Sequence, residues 1–323
     1  MPDLTGLPVL DVVIGLAFIF FLLAVLASTI QEMIAGFFGL RARTLEQGLR
    51  NMLASGSDMK LVADFYEHPL IDTLYRGTVN AGDLGKGRLK RTRGPSYVSP
   101  RAFAAFLLDK VTPTSGTASL DDLKAGIEQL PEAVQDRLEP LVKAAGNDID
   151  AFRQGIEAWY DDTMARVSGW YKRKAQVILL VIGAALVLAL NANTVTIADR
   201  LWSDQTVRAA VVQQANRAAS QPAGKDARER LDNAAGDVAS VTKLGAPMGW
   251  SGDAQPKWSG SGWATTLGGW LLTILAISLG APFWFDALGR LSRLRSSGKP
   301  ETPLPATGSG KPNERIVIGQ ARQ

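Results

Sequence analysis

The 323-residue chain carries 35 Lys and Arg against 31 Asp and Glu, a formal charge of +4, so a pI of 9.3 is weak grounds for a nucleic-acid partner. It holds no Cys and a single His, which excludes disulfides, thiolate nucleophiles, Cys-ligated metals and any multi-histidine metal site. Its mean hydropathy of +0.04 suits a soluble protein, yet the apolar residues are concentrated in three blocks, the pattern of a membrane protein.

The first block runs from Val9 to Leu40, with Asp11 near its start and Gln31-Glu32 inside it. At about 1.5 Å per residue an unbroken helix of that length is on the order of 48 Å, longer than a bilayer needs. Either it tilts, or it leaves the lipid near Gln31-Glu32 and continues as an interfacial helix through Phe37, Phe38 and Leu40. Glu32 is then an intramembrane carboxylate, a functional candidate, or a headgroup-level carboxylate with an Arg partner. Residues 1–8 carry no Lys or Arg and the apolar run exceeds a signal-peptide core, so a retained span is expected.

Residues 41–171 read as a helical domain. Leu45, Leu49, Met52 and Leu53 form a stripe. Lys60 to Glu67 is a short helix ended at His68-Pro69, and Pro69 opens the next turn. Ser99-Pro100 is an N-cap with Pro at N1, Ser119 with Asp122 resembles a capping box, and Pro131 opens a helix to about Ala145. Nothing alternates with period two, so no sheet of consequence is predicted. Between these helices lies the densest basic run, Lys86, Arg88, Lys90, Arg91 and Arg93. It suits anionic lipid headgroups or a solvated loop better than nucleic acid, because no aromatic residue interleaves with the charges.

From Asp148 a helical pattern (Ile149, Phe152, Ile156, Trp159, Thr163, Val167, Trp170) runs through Lys172-Arg173-Lys174 into the uncharged block Ala175 to Leu190, with no Pro. It predicts one long helix that enters a membrane and ends in an amphipathic continuation reaching Leu201. Asn191 and Asn193 could cap a helix or coordinate a cation; capping is the commoner use. Ala-rich helical stretches follow, and a Gly/Pro/Trp loop returns the chain to a third block, Trp263 to Leu288. Trp250, Trp258 and Trp263 suit an interfacial belt. Pro282 predicts a kink there, and the tail beyond is rich in Ser, Gly, Pro and Lys.

Basic clusters follow block one (Arg41, Arg43, Arg50), precede block two (Lys172, Arg173, Lys174) and follow block three (Arg290, Arg293, Arg295, Lys299). All fall on one side if the chain threads three times with its N-terminus out and its C-terminus in. No HExxH, Gly-x-Ser-x-Gly, Walker A or dinucleotide fingerprint is present, and the adjacent pairs Asp121-Asp122 and Asp161-Asp162 diverge by about 100° on a helix. No catalytic residue, cofactor or metal is expected.

Six segments, Leu26 to Glu46, Tyr66 to Ile71 (YEHPLI), Pro95 to Phe103, Trp159 to Lys174, Leu190 to Asp204 and Ser278 to Leu288 (SLGAPFWFDAL), resemble a family of uncharacterised bacterial multi-span inner-membrane proteins. The resemblance implies a bacterial membrane protein and supplies no catalytic residue.

The reading is an all-α integral membrane protein in six parts. Transmembrane helix 1 covers 9–40, a cytoplasmic helical domain 41–171, transmembrane helix 2 172–193, an extracytoplasmic domain 194–262, transmembrane helix 3 263–288 and a largely disordered cytoplasmic tail 289–323. The expected role is a non-enzymatic scaffold or assembly subunit in the bacterial inner membrane, acting as a homo-oligomer or with other membrane subunits and touching anionic inner-leaflet lipid. The alternative is an oligomeric channel or transporter with a polar pore near Glu32, Asn191 and Asn193; a third reading is a membrane enzyme using His68 with Glu67 or Asp72. Asp199 and Asp286 complete the candidate polar positions.

Overall fold

The structure, a computed structural model, describes residues 7–74, 94–112, 120–146, 148–219, 226–250, 255, 256, 260 and 262–297. Its helices are α1 (Leu7–Phe37), α2 (Leu40–Leu53), α3 (Lys60–Glu67), α4 (Pro69–Asp72), α5 (Pro100–Val111), α6 (Leu120–Ile127), α7 (Glu132–Ala145), α8 (Ile149–Leu190), α9 (Thr194–Ser203), α10 (Gln205–Ala219), α11 (Ala227–Lys243), α12 (Gly262–Ser278) and α13 (Ala281–Ser297). Among the described residues the sole β contact is an isolated bridge between Ser55 and Asp58, so the chain is all-α as its sequence predicts.

Local signals set many of these boundaries. The Ser99 hydroxyl accepts from the Ala102 N–H at 3.2 Å with Pro100 at N1, and the Asp148 carboxylate accepts from the Asp150 and Ala151 N–H groups. The capping-box residue Ser119 lies outside the described residues. Gly39, at φ 60°, separates α1 from α2, so the first helix runs past Glu32 to Phe37 before it breaks.

Two apolar cores follow. One joins α2 to α7 with the first half of α8, through Leu49, Phe65, Phe103, Phe106, Phe152 and Tyr160. The Tyr160 hydroxyl donates to the Val98 carbonyl at 3.0 Å, and burial pushes its phenol well above the ordinary tyrosine range, holding it as a donor. The other core joins α1 to the second half of α8 and to α9–α13, through Ile14, Phe18, Leu23, Val187, Ile197 and Val211. α8, 42 residues and about 63 Å long, belongs to both cores.

α1 and α8 are the two helices long and apolar enough to cross a membrane, and they are buried very differently. Within the chain 61 % of the apolar window of α1 is buried, against 17 % of that of α8. Helices α8 to α13 all pack against α1, which is therefore the centre of its core.

The structure refines the sequence reading along α8, α9 and block three. The helix expected to reach Leu201 stops at Leu190, because Asn191 takes the left-handed conformation (φ 45°, ψ 47°) and α9 starts after Asn193. Block three does bend where a kink is predicted, by 95° between α12 and α13, but the hinge is Gly280 (φ 84°). Pro282 lies inside α13 rather than at the bend. α13 also carries helix to Ser297, nine residues into the segment expected as a largely disordered tail. In addition, 194–262 does not pack as a body of its own, since α9, α10 and α11 share the core of α1.

Small residues on α8 and α12 serve close contacts inside the chain. Gly183 of α8 lets Ile277 of α12 approach, and a Cβ on Gly269 would collide with the Asn193 side chain, whereas one on Gly268 meets nothing within 4 Å. Gly269→Ala therefore costs about 2 kcal/mol of stability by overpacking, while Gly268→Ala changes it by less than about 1 kcal/mol. Thermal unfolding of the two variants in one detergent checks this; equal shifts would contradict it.

Candidate functional site

Most of the polar positions singled out in the sequence fall into two places on opposite ends of α1. At one end the chain turns from α8 into α9 and meets the start of α12. The Asn191 amide donates to the Gly249 carbonyl at 2.6 Å and its carbonyl oxygen accepts from the Trp270 indole at 2.9 Å. Asn193 caps α9, accepting from the Val195 and Thr196 N–H groups, and donates to the Thr266 carbonyl at 3.1 Å. Thr273 accepts from the Thr194 N–H at 3.1 Å, and the Trp250 indole donates to the Leu188 carbonyl at 3.1 Å. Asn191, Asn193 and Thr273 are all buried. Their hydrogen-bonding capacity goes into tying three chain segments together, which is structural work.

Glu32 sits towards the other end. Gly15, near the start of α1, touches Leu201 of α9, and 17 residues, or about 25 Å of helix, separate it from Glu32. Glu32 and the two asparagines therefore do not form one cluster, and the asparagines are buried with their amides bonded within the chain. Glu32 instead accepts from Arg230 of α11 at 2.9 Å. That arginine is supplied from 198 positions away.

Two cavities meet at Glu32. The first, about 580 Å³, is polar and lies at the α1–α2 break, lined by Gln31, Ser96, Arg41 and Tyr171 among others. There the Arg41 guanidinium donates to the Tyr171 hydroxyl at 3.4 Å, and that bond holds the Arg41 pKa above its ordinary value. The second, about 410 Å³, lies between α1, α11 and α13 and is amphipathic. Phe21, Leu22, Val25, Pro282 and Phe285 form its apolar wall; Arg230, Asn233 and Asp237 form the polar wall, with Asp286 at the rim. Ser28 and Glu32 line both cavities, which makes them neighbours. Burial pushes the Asp237 carboxyl upward, offset in part by donation from Gln214 at 3.4 Å.

The remaining candidates lie elsewhere. His68 caps α4, its Nδ1 accepting from the Leu70 N–H at 3.4 Å, and its Nε2 faces Asp109 at 3.4 Å. Neither Glu67 nor Asp72 is paired with it among the described residues, and its surroundings explain it as a packed cap. Asp199 is exposed on α9. Lys172, Arg173 and Lys174 are exposed on consecutive positions of α8. Lys86, Arg88, Lys90, Arg91 and Arg93, like Trp258, lie outside the described residues. No group of three or more His, Cys, Asp or Glu suited to a metal occurs among the described residues.

Sequence reasoning missed Arg230, Asp237, Arg41 and Tyr171. Only Arg41 and Tyr171 carried a signal, as an Arg and an aromatic flanking apolar blocks. Comparison with protein families, with curated proteins and with solved structures finds no match to this chain.

The raised Asp237 means that the folded chain binds this proton more tightly than the unfolded chain. Its stabilising effect is full below the ordinary Asp range and is lost as pH rises through the raised value. Asp237→Asn removes that loss, so its melting temperature exceeds the parent's near neutral pH and the gap narrows towards about pH 4. A constant gap across the series would contradict the assignment. Asn193→Ala, by contrast, costs about 2 kcal/mol at any pH by uncapping α9 and removing its bond to the Thr266 carbonyl.

Proposed function

We propose that the chain is a non-enzymatic membrane scaffold or assembly subunit that works as a homo-oligomer. The observation that carries this reading is a polar helical hairpin laid along the apolar α1. α10 and α11 follow α1 from the Gly15 level, where Val211 touches it, to the Arg230–Glu32 ion pair. Their outward positions are polar: Gln213, Asn216 and Arg217 on α10, and Arg228, Glu229 and Asp232 on α11 are exposed. Other helices of the same core expose large apolar residues, with Val177 and Val181 of α8, Leu271 and Leu275 of α12 and Phe283 of α13 all about half exposed or more.

If α1 and α8 cross a bilayer, the apolar flank faces lipid and the polar flank lies at the same depth. Charged and amide side chains at that depth are costly in hydrocarbon and are tolerated against protein or water. A second copy presenting its own hairpin supplies that cover. The long α8 then joins the membrane core rigidly to the α2–α7 core.

The basic clusters support a bacterial inner-membrane orientation with the N-terminus outside and α2–α7 in the cytoplasm, where Lys172, Arg173 and Lys174 meet anionic inner-leaflet headgroups. The resemblance of Leu26 to Glu46 and the other quoted segments to bacterial inner-membrane proteins supports the same placement. The bend between α12 and α13 leaves the number of crossings at two, or three if the bent pair counts as one.

A second reading, an oligomeric channel or transporter, draws on the same polar flank, with α10 and α11 lining a hydrated axis. Native mass spectrometry of the full chain released from native-lipid discs tests the scaffold reading. It predicts a defined assembly of two or more copies, and a uniform monomer would contradict it. Proteoliposomes without ion flux agree with a scaffold; flux abolished by Arg217→Ala or Asp232→Ala would transfer the conclusion to the channel.

A further inference from the structure

The amphipathic crevice between α1, α11 and α13 has a shape and charge that scaffolding does not use. We infer that it binds an amphiphile with a cationic ammonium head and an apolar chain. Its volume of about 410 Å³ is within the ordinary range of small-molecule sites. The crevice lies on the boundary between the polar and apolar flanks of the α1 core, so its occupant must satisfy both walls.

Charge decides the class of head group. Three carboxylates, Glu32, Asp237 and Asp286, line the crevice against one guanidinium, Arg230. Arg230 is already committed to Glu32 at 2.9 Å. Asp237 receives one long hydrogen bond, from Gln214 at 3.4 Å, and Asp286 has no hydrogen bond or ion pair among the described residues. An anionic head would be repelled by this surplus, and an uncharged head would leave it uncompensated beside Phe285 and Pro282. An ammonium neutralises it.

The apolar wall suits the rest of such a molecule. Phe21 and Phe285 stand with ring centroids 6.1 Å apart, and their faces offer a cation–π surface next to Asp286. Leu22 and Val25 extend the wall along α1 for the chain. The polar cavity that shares Ser28 and Glu32 gives the head a route from water.

Two sources carry this chemistry, a free lipophilic amine and the ammonium of an aminophospholipid. The site is built within one protomer, so its test is independent of the number of copies in the assembly. The experiment is calorimetric titration of the full chain, in phosphatidylglycerol nanodiscs, which hold no ammonium, with decyltrimethylammonium below its micelle concentration, after subtraction of empty discs. The expected result is saturable binding of about one molecule per protomer, weakened about tenfold by Asp286→Asn and by Phe285→Ala. Decanoate and decyl maltoside are expected to show no saturable component. Both substituted positions are exposed, and unchanged melting temperatures confirm that the variants fold.

Absence of saturable binding, equal binding of decanoate, or full affinity in both folded variants would overturn the inference. Replacing part of the phosphatidylglycerol with phosphatidylethanolamine separates the sources. Competition assigns the site to a lipid headgroup, and its absence, with binding retained, assigns it to a free amine.

Discussion

An apolar helix of 31 residues has to be kept from water, and α1 achieves this largely by surrounding itself with other helices of its own chain. That choice governs the rest of the architecture. Burying α1 on all sides needs more helices than the apolar blocks provide, so the polar, Ala-rich α10 and α11 are recruited to one flank. They turn Val207, Val211, Val212 and Ala215, and then Ala234, Val238 and Val241, towards α1 and leave their charged positions outside. The result is a core with an apolar flank and a polar flank, and both functional readings arise from that asymmetry.

The second organising feature is α8. Its continuity depends on the absence of Pro over 42 residues and on firm ends, an Asp148 cap at one and the left-handed Asn191 at the other. At the Asn191 end the buried asparagines, Thr273 and two indoles clamp α8, α9 and α12 together. At the other end Phe152, Ile156 and Tyr160 seat the helix in the aromatic core of α2–α7, and Gly48 admits Val167 and Met164 against α2. A rod held at both ends transmits displacement from one core to the other with little local bending.

Much of this was legible in the sequence because its causes are local. Ser99-Pro100, His68-Pro69 and Asp148 mark helix starts through side chains acting on N–H groups two or three positions away, and all three do so in the structure. The breaks at Gly39, Asn191 and Gly280 depend on single residues in left-handed conformations, a signal that competes with strong apolar periodicity on either side. The candidate crevice was not legible. Glu32 meets Arg230 across 198 positions, and Asp237 and Asp286 join them only because α11 and α13 both pack on α1. The hairpin's docking was hidden as well, since an Ala-rich helix with a few valines on one face reads as a solvated helix as readily as one packed on an apolar span.

The account rests most heavily on the two-sided environment of the α1 core. The cysteine-free chain allows single spin labels to be placed without background, at Asp232→Cys on α11 and at Leu275→Cys on α12. Paramagnetic accessibility in native-lipid discs then reports each environment. The account predicts that the α12 label is reached by oxygen as in hydrocarbon, and that the α11 label is reached by a water-soluble nickel chelate or broadened by a label on a second copy. An α11 label with the oxygen accessibility of lipid and no broadening would contradict it.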